Sequence, residues 1–215
     1  MENTDNQGLF LDRLRVSLRG ETLFEVSTRV PPGEVLTIMG PSGSGKSTLI
    51  NAIIGLLPPV FDLSGTITLD GQSLTGVPVE RRRVGVLFQD PLLFPHFSVG
   101  ENIAFGLPQH IRGSERRQAV ERLLDAVDLE GFAARDPFTL SGGQKARVAL
   151  LRVLAAEPCA LLLDEPFSKL DTALRHSVRD LVFGEARRRK LPVLMVTHDA
   201  QDAEAAGGPV LNLEG

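Results

Sequence analysis

The chain has 215 residues, 42% of them hydrophobic and 23% charged, with a formal net charge of −4. This length supports one globular domain with its own core, and the charge does not suggest a strongly basic face, so nucleic acid is not the first partner expected. The single cysteine, Cys159, excludes an internal disulfide, and no apolar run is long enough to cross a bilayer.

Taken in order, the polar residues 1–8 lack a signal-peptide core, so a cytoplasmic chain is expected. Leu14, Val16 and Leu18 alternate with polar residues and predict a strand. Val35–Met39 is a short β-branched apolar run and predicts a buried strand. Leu49, Ile50, Ile53, Ile54 and Leu57 then follow at helical spacing, with Gly55 and Pro58 as stop signals. Between that strand and that helix stand Gly40, Pro41, Ser42, Gly43, Ser44, Gly45, Lys46, Ser47 and Thr48. Glycines let successive backbone N–H groups face phosphate oxygens, and the helix N-terminus adds its dipole. Lys46 would reach the β- and γ-phosphates and the Ser47 hydroxyl would ligate Mg²⁺. Nucleotide binding follows; what the nucleotide is used for does not follow from this motif.

Leu63, Ile67 and Leu69 alternate less regularly, and Asp70-Gly71 signals a tight turn, so antiparallel strands are expected beside the nucleotide site. Val84–Phe88 predicts another strand, ending at Gln89-Asp90-Pro91, with Arg81–Arg83 as its solvated lead-in. Helical spacing dominates residues 91–157. There Val120, Leu123, Leu124 and Val127 share a face behind Ser114 as N-cap, and a second helix runs from Ser141 to Pro158. Strands return at Ala160–Leu163 and Val193–Val196, flanking a helix capped by Asp171 that buries Leu174, Val178, Leu181 and Val182 and ends in the cations Arg187–Lys190. Strands alternating with helices define an α/β fold with a mostly parallel sheet.

Phosphate chemistry in such a sheet belongs at the carboxyl ends of its strands. Asp164 suits Mg²⁺ coordination through water, and Glu165, one residue on, suits polarising an attacking water. A strand-end histidine is as often structural as catalytic. The context raises His198, because an imidazole N–H there could reach a γ-phosphate; His96, His110 and His176 are read as structural. Leu140-Ser141-Gly142-Gly143-Gln144 is a second glycine-rich turn at a helix N-terminus, without a lysine. It reads either as a flexible turn or as half a phosphate cradle. The second reading suggests that two copies of the chain pair, each half-cradle closing the other chain's site.

In this order the motifs resemble those of the ATP-binding subunit of an ABC transporter, over the whole chain. Gly40–Thr48 is similar to the Walker A motif, Gln89 to the Q-loop and Leu140–Gln144 to the signature. Ala160–Glu165 is similar to Walker B, Ser168-Lys169-Leu170-Asp171 to the D-loop and His198 to the switch histidine. Phe94–Ile103 resembles importer subunits of the iron, molybdate and sugar type, the short bacterial ones above all. The resemblance implies a P-loop NTPase (RecA-like) core of residues 1–90 and 158–215, with an N-terminal antiparallel β subdomain and a helical subdomain over 91–157. It also implies ATP hydrolysis, with Lys46, Gln89, Glu165 and His198 catalytic and Mg²⁺ held by Ser47, Gln89 and Asp164. Two copies would close head to tail on ATP, Ser141, Gly142, Gly143, Gln144 and Asp171 meeting the partner's nucleotide. Implied partners are transmembrane permease subunits, which would hold the chain on the inner face of the plasma membrane, and a substrate-binding protein. A soluble ABC ATPase and an exporter-type subunit are the alternatives.

Two features depart from the family pattern. Where the family has an aromatic that stacks on adenine, Arg19 precedes Gly20, and the chain has no Trp or Tyr; Arg19 itself could stack. The sequence ends at Gly215, soon after His198, so no C-terminal regulatory domain of the sugar-importer type is expected.

Overall fold

Apolar alternation and its one interruption shape the first strand. The strands are β1 (Leu9–Leu18), β2 (Glu21–Val30), β3 (Val35–Met39), β4 (Phe61–Leu69), β5 (Gln72–Ser73), β6 (Val84–Leu87), β7 (Ala160–Asp164), β8 (Val193–Val196) and β9 (Val210–Asn212). The helices are α1 (Lys46–Ile54), α2 (Val99–Gly106), α3 (Gly113–Asp125), α4 (Gly142–Ala155), α5 (Thr172–Arg188) and α6 (Ala200–Ala206). The computed structural model describes residues 7–41 and 43–213. They divide into two units, one of Met1–Val84, Cys159–Glu165 and Glu185–Gly215, the other of Gly85–Pro158 and Pro166–Gly184.

In the first unit, an antiparallel sheet runs in the order β2-β1-β4-β5. β1 buries Leu9, Leu11, Leu14 and Val16, so its alternation slips between Leu11 and Leu14. The slip is a bulge, with Arg13 at φ 45°. Across the pair stands Gly65 at φ 87°, where a Cβ would lie 2.2 Å from the Arg13 carbonyl oxygen; only glycine fits. Beyond the bulge Leu63 is left 44% exposed, whereas Ile67 and Leu69 are buried. Asp70 and Gly71, at φ 49° and 76°, turn the chain so that Leu69 pairs with Gln72, the two-residue hairpin expected of this dipeptide.

The parallel strands of this unit place the nucleotide loop. β3 pairs in parallel with β8 on one side and β9 on the other, and β8 pairs with β7. β3, β7 and β8 are nearly all apolar, as strands covered on both faces must be. The α/β class with its antiparallel N-terminal strands is the observed one.

The basic run at 81–83 is more than a solvated lead-in. Arg82 is only 9% exposed. Its Nε donates to the Val77 carbonyl at 2.9 Å, and its Nη1 to those of Ala52 and Ile53 at 3.3 and 2.6 Å. The last two belong to the final turn of α1, where carbonyls lack helical partners. Burial pulls the Arg82 pKa down. Replacing Arg82 by methionine keeps the stem and strands the Ile53 carbonyl, leaving that of Ala52 only the Gly55 N–H at 3.3 Å. A loss of about 2 kcal/mol is expected, which is roughly 4–8 °C in a thermal melt for a chain of this size. A melting point within a degree of wild type would contradict the assignment.

In the second unit, α2, α3 and α4 pack around Val99, Ile103, Leu124, Leu129, Val148 and Leu151. α2 opens with a capping box, the Glu101 N–H donating to Ser98 Oγ and the Ser98 N–H to Glu101 Oε2 at 2.7 Å. Buried Asn102 pins the preceding loop, accepting from Phe94 N–H at 2.8 Å and donating to the Phe94 and Ser98 carbonyls. Ser114 is not the N-cap of α3. That position falls to Arg112, in extended backbone and without a side-chain cap. The helix entry is held instead by Arg116, whose Nη1 gathers the carbonyls of Pro108 and Ile111 at 3.2 and 2.8 Å.

Candidate functional site

The phosphate loop follows from three local constraints. Gly45, at φ 87°, is the N-cap of α1, so no side chain occupies the first-turn N–H groups. A Cβ at Gly45 would meet the Phe24 ring at 2.7 Å; Phe24 comes from β2 and is 3% exposed. Lys46, 8% exposed, folds its Nζ back onto the carbonyls of Gly40 and Pro41 at 2.9 and 2.7 Å. An arriving phosphate would find N–H groups, a helix dipole and an ammonium already in place. The Ser44 hydroxyl is buried with no hydrogen-bond partner among the described residues. Ser42 lies outside the described residues.

Three strand-end side chains share this end of the unit. The Ser47 hydroxyl lies beside the Asp164 carboxyl. Burial pushes the Asp164 carboxyl above its ordinary value and nearby Glu165 adds to this, against the Ser47 hydroxyl and the Lys46 charge, which pull it down. Glu165 sits at φ 46°, its N–H donating to the Val196 carbonyl at 2.9 Å. Such a backbone is costly for a non-glycine residue and re-aims the side chain at the strand end. Its Oε1 lies 3.1 Å from His198 Nδ1. Gly40, Pro41, Gly43, Gly45, Lys46, Ser47, Thr48, Glu165 and His198 all line one cleft of about 740 Å³.

The Ser47–Asp164 pair fits Mg²⁺. It offers one hydroxyl and one carboxylate short of compensating charge, and Mg²⁺ takes few protein ligands when phosphates supply others. Among the described residues no three His, Cys, Asp or Glu side chains group as a self-sufficient metal site.

Gln89, Ser141, Gly142, Gly143, Gln144 and Asp171 belong to the second unit. Ser141 caps α4 in a capping box, its Oγ accepting from Gln144 N–H at 3.3 Å while Gln144 Oε1 accepts from Ser141 N–H at 2.9 Å. Asp171 caps α5, accepting from Leu174 N–H at 3.1 Å. Lys169 and Asp90 form an exposed ion pair. Gln89 and Gly142 line an apolar cavity with Phe167 and Leu170.

The sequence reading missed one wall of the cleft. Leu18, Leu23 and Phe61 line it, and Arg19 does not. Arg19 and Gly20, at φ 52° and 84°, form the tip of the β1–β2 hairpin.

A phosphate loop, a strand-end Asp-Glu pair and a facing histidine in an α/β sheet define a nucleotide hydrolase. The ABC transporter family pattern matches residues 23–168. The chain is 51% identical to the ABC transporter ATP-binding protein YnjD of Escherichia coli K12, over 88% of this chain and 89% of that protein. It is 43% identical to the Fe(3+) ions import ATP-binding protein FbpC 3 of Rhodococcus jostii, over 94% of this chain and 58% of that one. It is 44% identical to the molybdenum import ATP-binding protein ModC of Mycobacterium tuberculosis, over 88% and 54%. The chain thus spans most of YnjD and just over half of the two import proteins. It belongs to the ABC transporter family, among the ATP-binding proteins that are its ATPases.

Proposed function

We propose that this chain is the ATPase subunit of an importer, driving substrate movement through partner permease subunits. The observation that carries the reading is the single cleft uniting Lys46, Ser47, Glu165 and His198. ATP lies with its phosphates over the α1 N-terminus, and Lys46 releases the Gly40 and Pro41 carbonyls to neutralise the β- and γ-phosphates. Ser47 and Asp164 would hold Mg²⁺, which would offset phosphate charge. Glu165 orients and polarises the attacking water. His198 donates to the γ-phosphate and keeps Glu165 aligned.

In this reading residues 91–157 carry the signature to a second copy of the chain, Ser141, Gly142 and Gly143 closing on that copy's ATP. Permease subunits dock on the groove formed by Asp90, Leu92, Leu93, Pro95, Pro137 and Phe138. Leu92 and Phe138 are both exposed there, as a patch awaiting a partner is. The names of the iron and molybdenum relatives, both import proteins, support import rather than export.

No helix among the described residues is long and apolar enough to cross a membrane. Membrane association is therefore expected to need the permease. Expressed with cognate multi-spanning permease subunits, the chain should co-purify with them, and Phe138→Asp should abolish the association. Pelleting with protein-free lipid vesicles, or no association with those proteins, would refute this reading.

A further inference from the structure

The cleft is lined by two chemically different sets of residues. Its polar side chains, Lys46, Ser47, Thr48, Glu165 and His198, come from the phosphate loop, α1 and the strand ends. Its apolar wall comes from the antiparallel sheet. Leu18 ends β1, Leu23 stands on β2 just past the hairpin tip, and Phe61 opens β4 directly opposite Leu18 in the β1–β4 register.

We propose that Phe61, with Leu18 and Leu23 beside it, is the nucleobase platform of this cleft, and that it holds a purine by stacking without reading its edge. The inference rests on the ATP-binding reading of the same cleft. An aromatic face is sequence-tolerant because every base has a π-face, and aliphatic neighbours exclude water around it. The other aromatics of this sheet are committed elsewhere. Phe24 is buried under Gly45, and Phe10 lies beneath the Arg29 guanidinium, 4.9 Å from its ring centre. Phe61 is half-buried and lines the cleft. No polar side chain of the antiparallel sheet is among the described lining residues, so no side chain there is placed to distinguish an amino group from a carbonyl on the ring.

The chain has no Trp and no Tyr, so Phe61→Trp supplies a sole emitter at the proposed platform. Its fluorescence should be quenched by ATP and ADP, and by GTP within about tenfold of the ATP concentration. Tripolyphosphate, which can fill the phosphate end alone, should leave it unchanged. Phe105→Trp, at a position 64% exposed in the second unit, is the control and should respond to none of them. Phe61→Ala should weaken ATP binding about ten- to a hundredfold in equilibrium dialysis while leaving tripolyphosphate binding intact, which also shows a folded phosphate loop. ATP affinity unchanged in Phe61→Ala overturns the platform and leaves the ATP reading standing. A wild-type protein that takes up no ATP overturns both. An ATP-over-GTP preference far beyond tenfold overturns the claim that the edge is unread.

Discussion

Replacing Glu165 by glutamine is expected to abolish turnover while preserving ATP binding. Glutamine keeps the size of the side chain and a carbonyl oxygen that can still accept from His198, 3.1 Å away in the native pair. It cannot polarise water as a carboxylate does, so the rate should fall on the order of a hundredfold or more. The groups proposed to hold ATP, Lys46 with its loop and Ser47 with Asp164, are untouched. ATP should therefore persist, and a dimer that closes on ATP should accumulate. Size-exclusion chromatography with ATP and Mg²⁺ reads this as a shift to twice the mass. A variant that stays monomeric, or turns over at the wild-type rate, removes Glu165 from the proposed role.

Mixing two inactive chains is expected to restore activity. Lys46→Ala removes the ammonium that neutralises phosphate charge. Gly142→Asp places a carboxylate at the first turn of α4, where it would repel a partner's γ-phosphate in a poorly hydrated site. Position 142 is the right one to change. A Cβ there meets only Leu170 Cδ2 at 3.9 Å, whereas at Gly143 it would meet Leu174 Cδ2 at 2.8 Å. The first substitution tests charge and the second would test packing. In a mixed dimer both faults fall in one composite site. The other keeps Lys46 from one chain and Ser141, Gly142 and Gly143 from its partner. ATPase activity across mixing ratios should peak near equal amounts. If each chain hydrolyses ATP alone, mixing restores nothing. Vanadate trapping at half stoichiometry without steady turnover would mark shared sites in which one cannot cycle without the other.

The phosphate cleft was legible wherever chemistry dictates residue type at fixed spacing. Gly45 must be a glycine and Lys46 a lysine, and a short apolar strand must precede them, so local sequence sufficed. Asp70-Gly71 was legible because Asp and Gly adopt two successive positive φ values at low cost. Phe61 was not legible, because what brings it to the cleft is pairing with Leu18, set by a register across distant residues. Arg82 read as solvated because nothing local reveals that α1 ends beside it with open carbonyls. The Ser114 expectation failed because Arg116 organises the turn from four residues beyond the N-cap, through carbonyls that composition does not display.

The last short strand carries a consequence for how the chain can be cut. β9 pairs with Thr37, Ile38 and Met39, and Leu213 N–H donates to the Met39 carbonyl at 2.8 Å. Stripped of β9, Thr37, Ile38 and Met39 of the apolar strand β3 become a bare edge with unpaired N–H and C=O groups, a template for another chain to add to. Truncation before Val210 is therefore a hazard of aggregation before it is one of catalysis. A fusion joined at that end must leave residues 209–213 free to lie against the strand that feeds the phosphate loop.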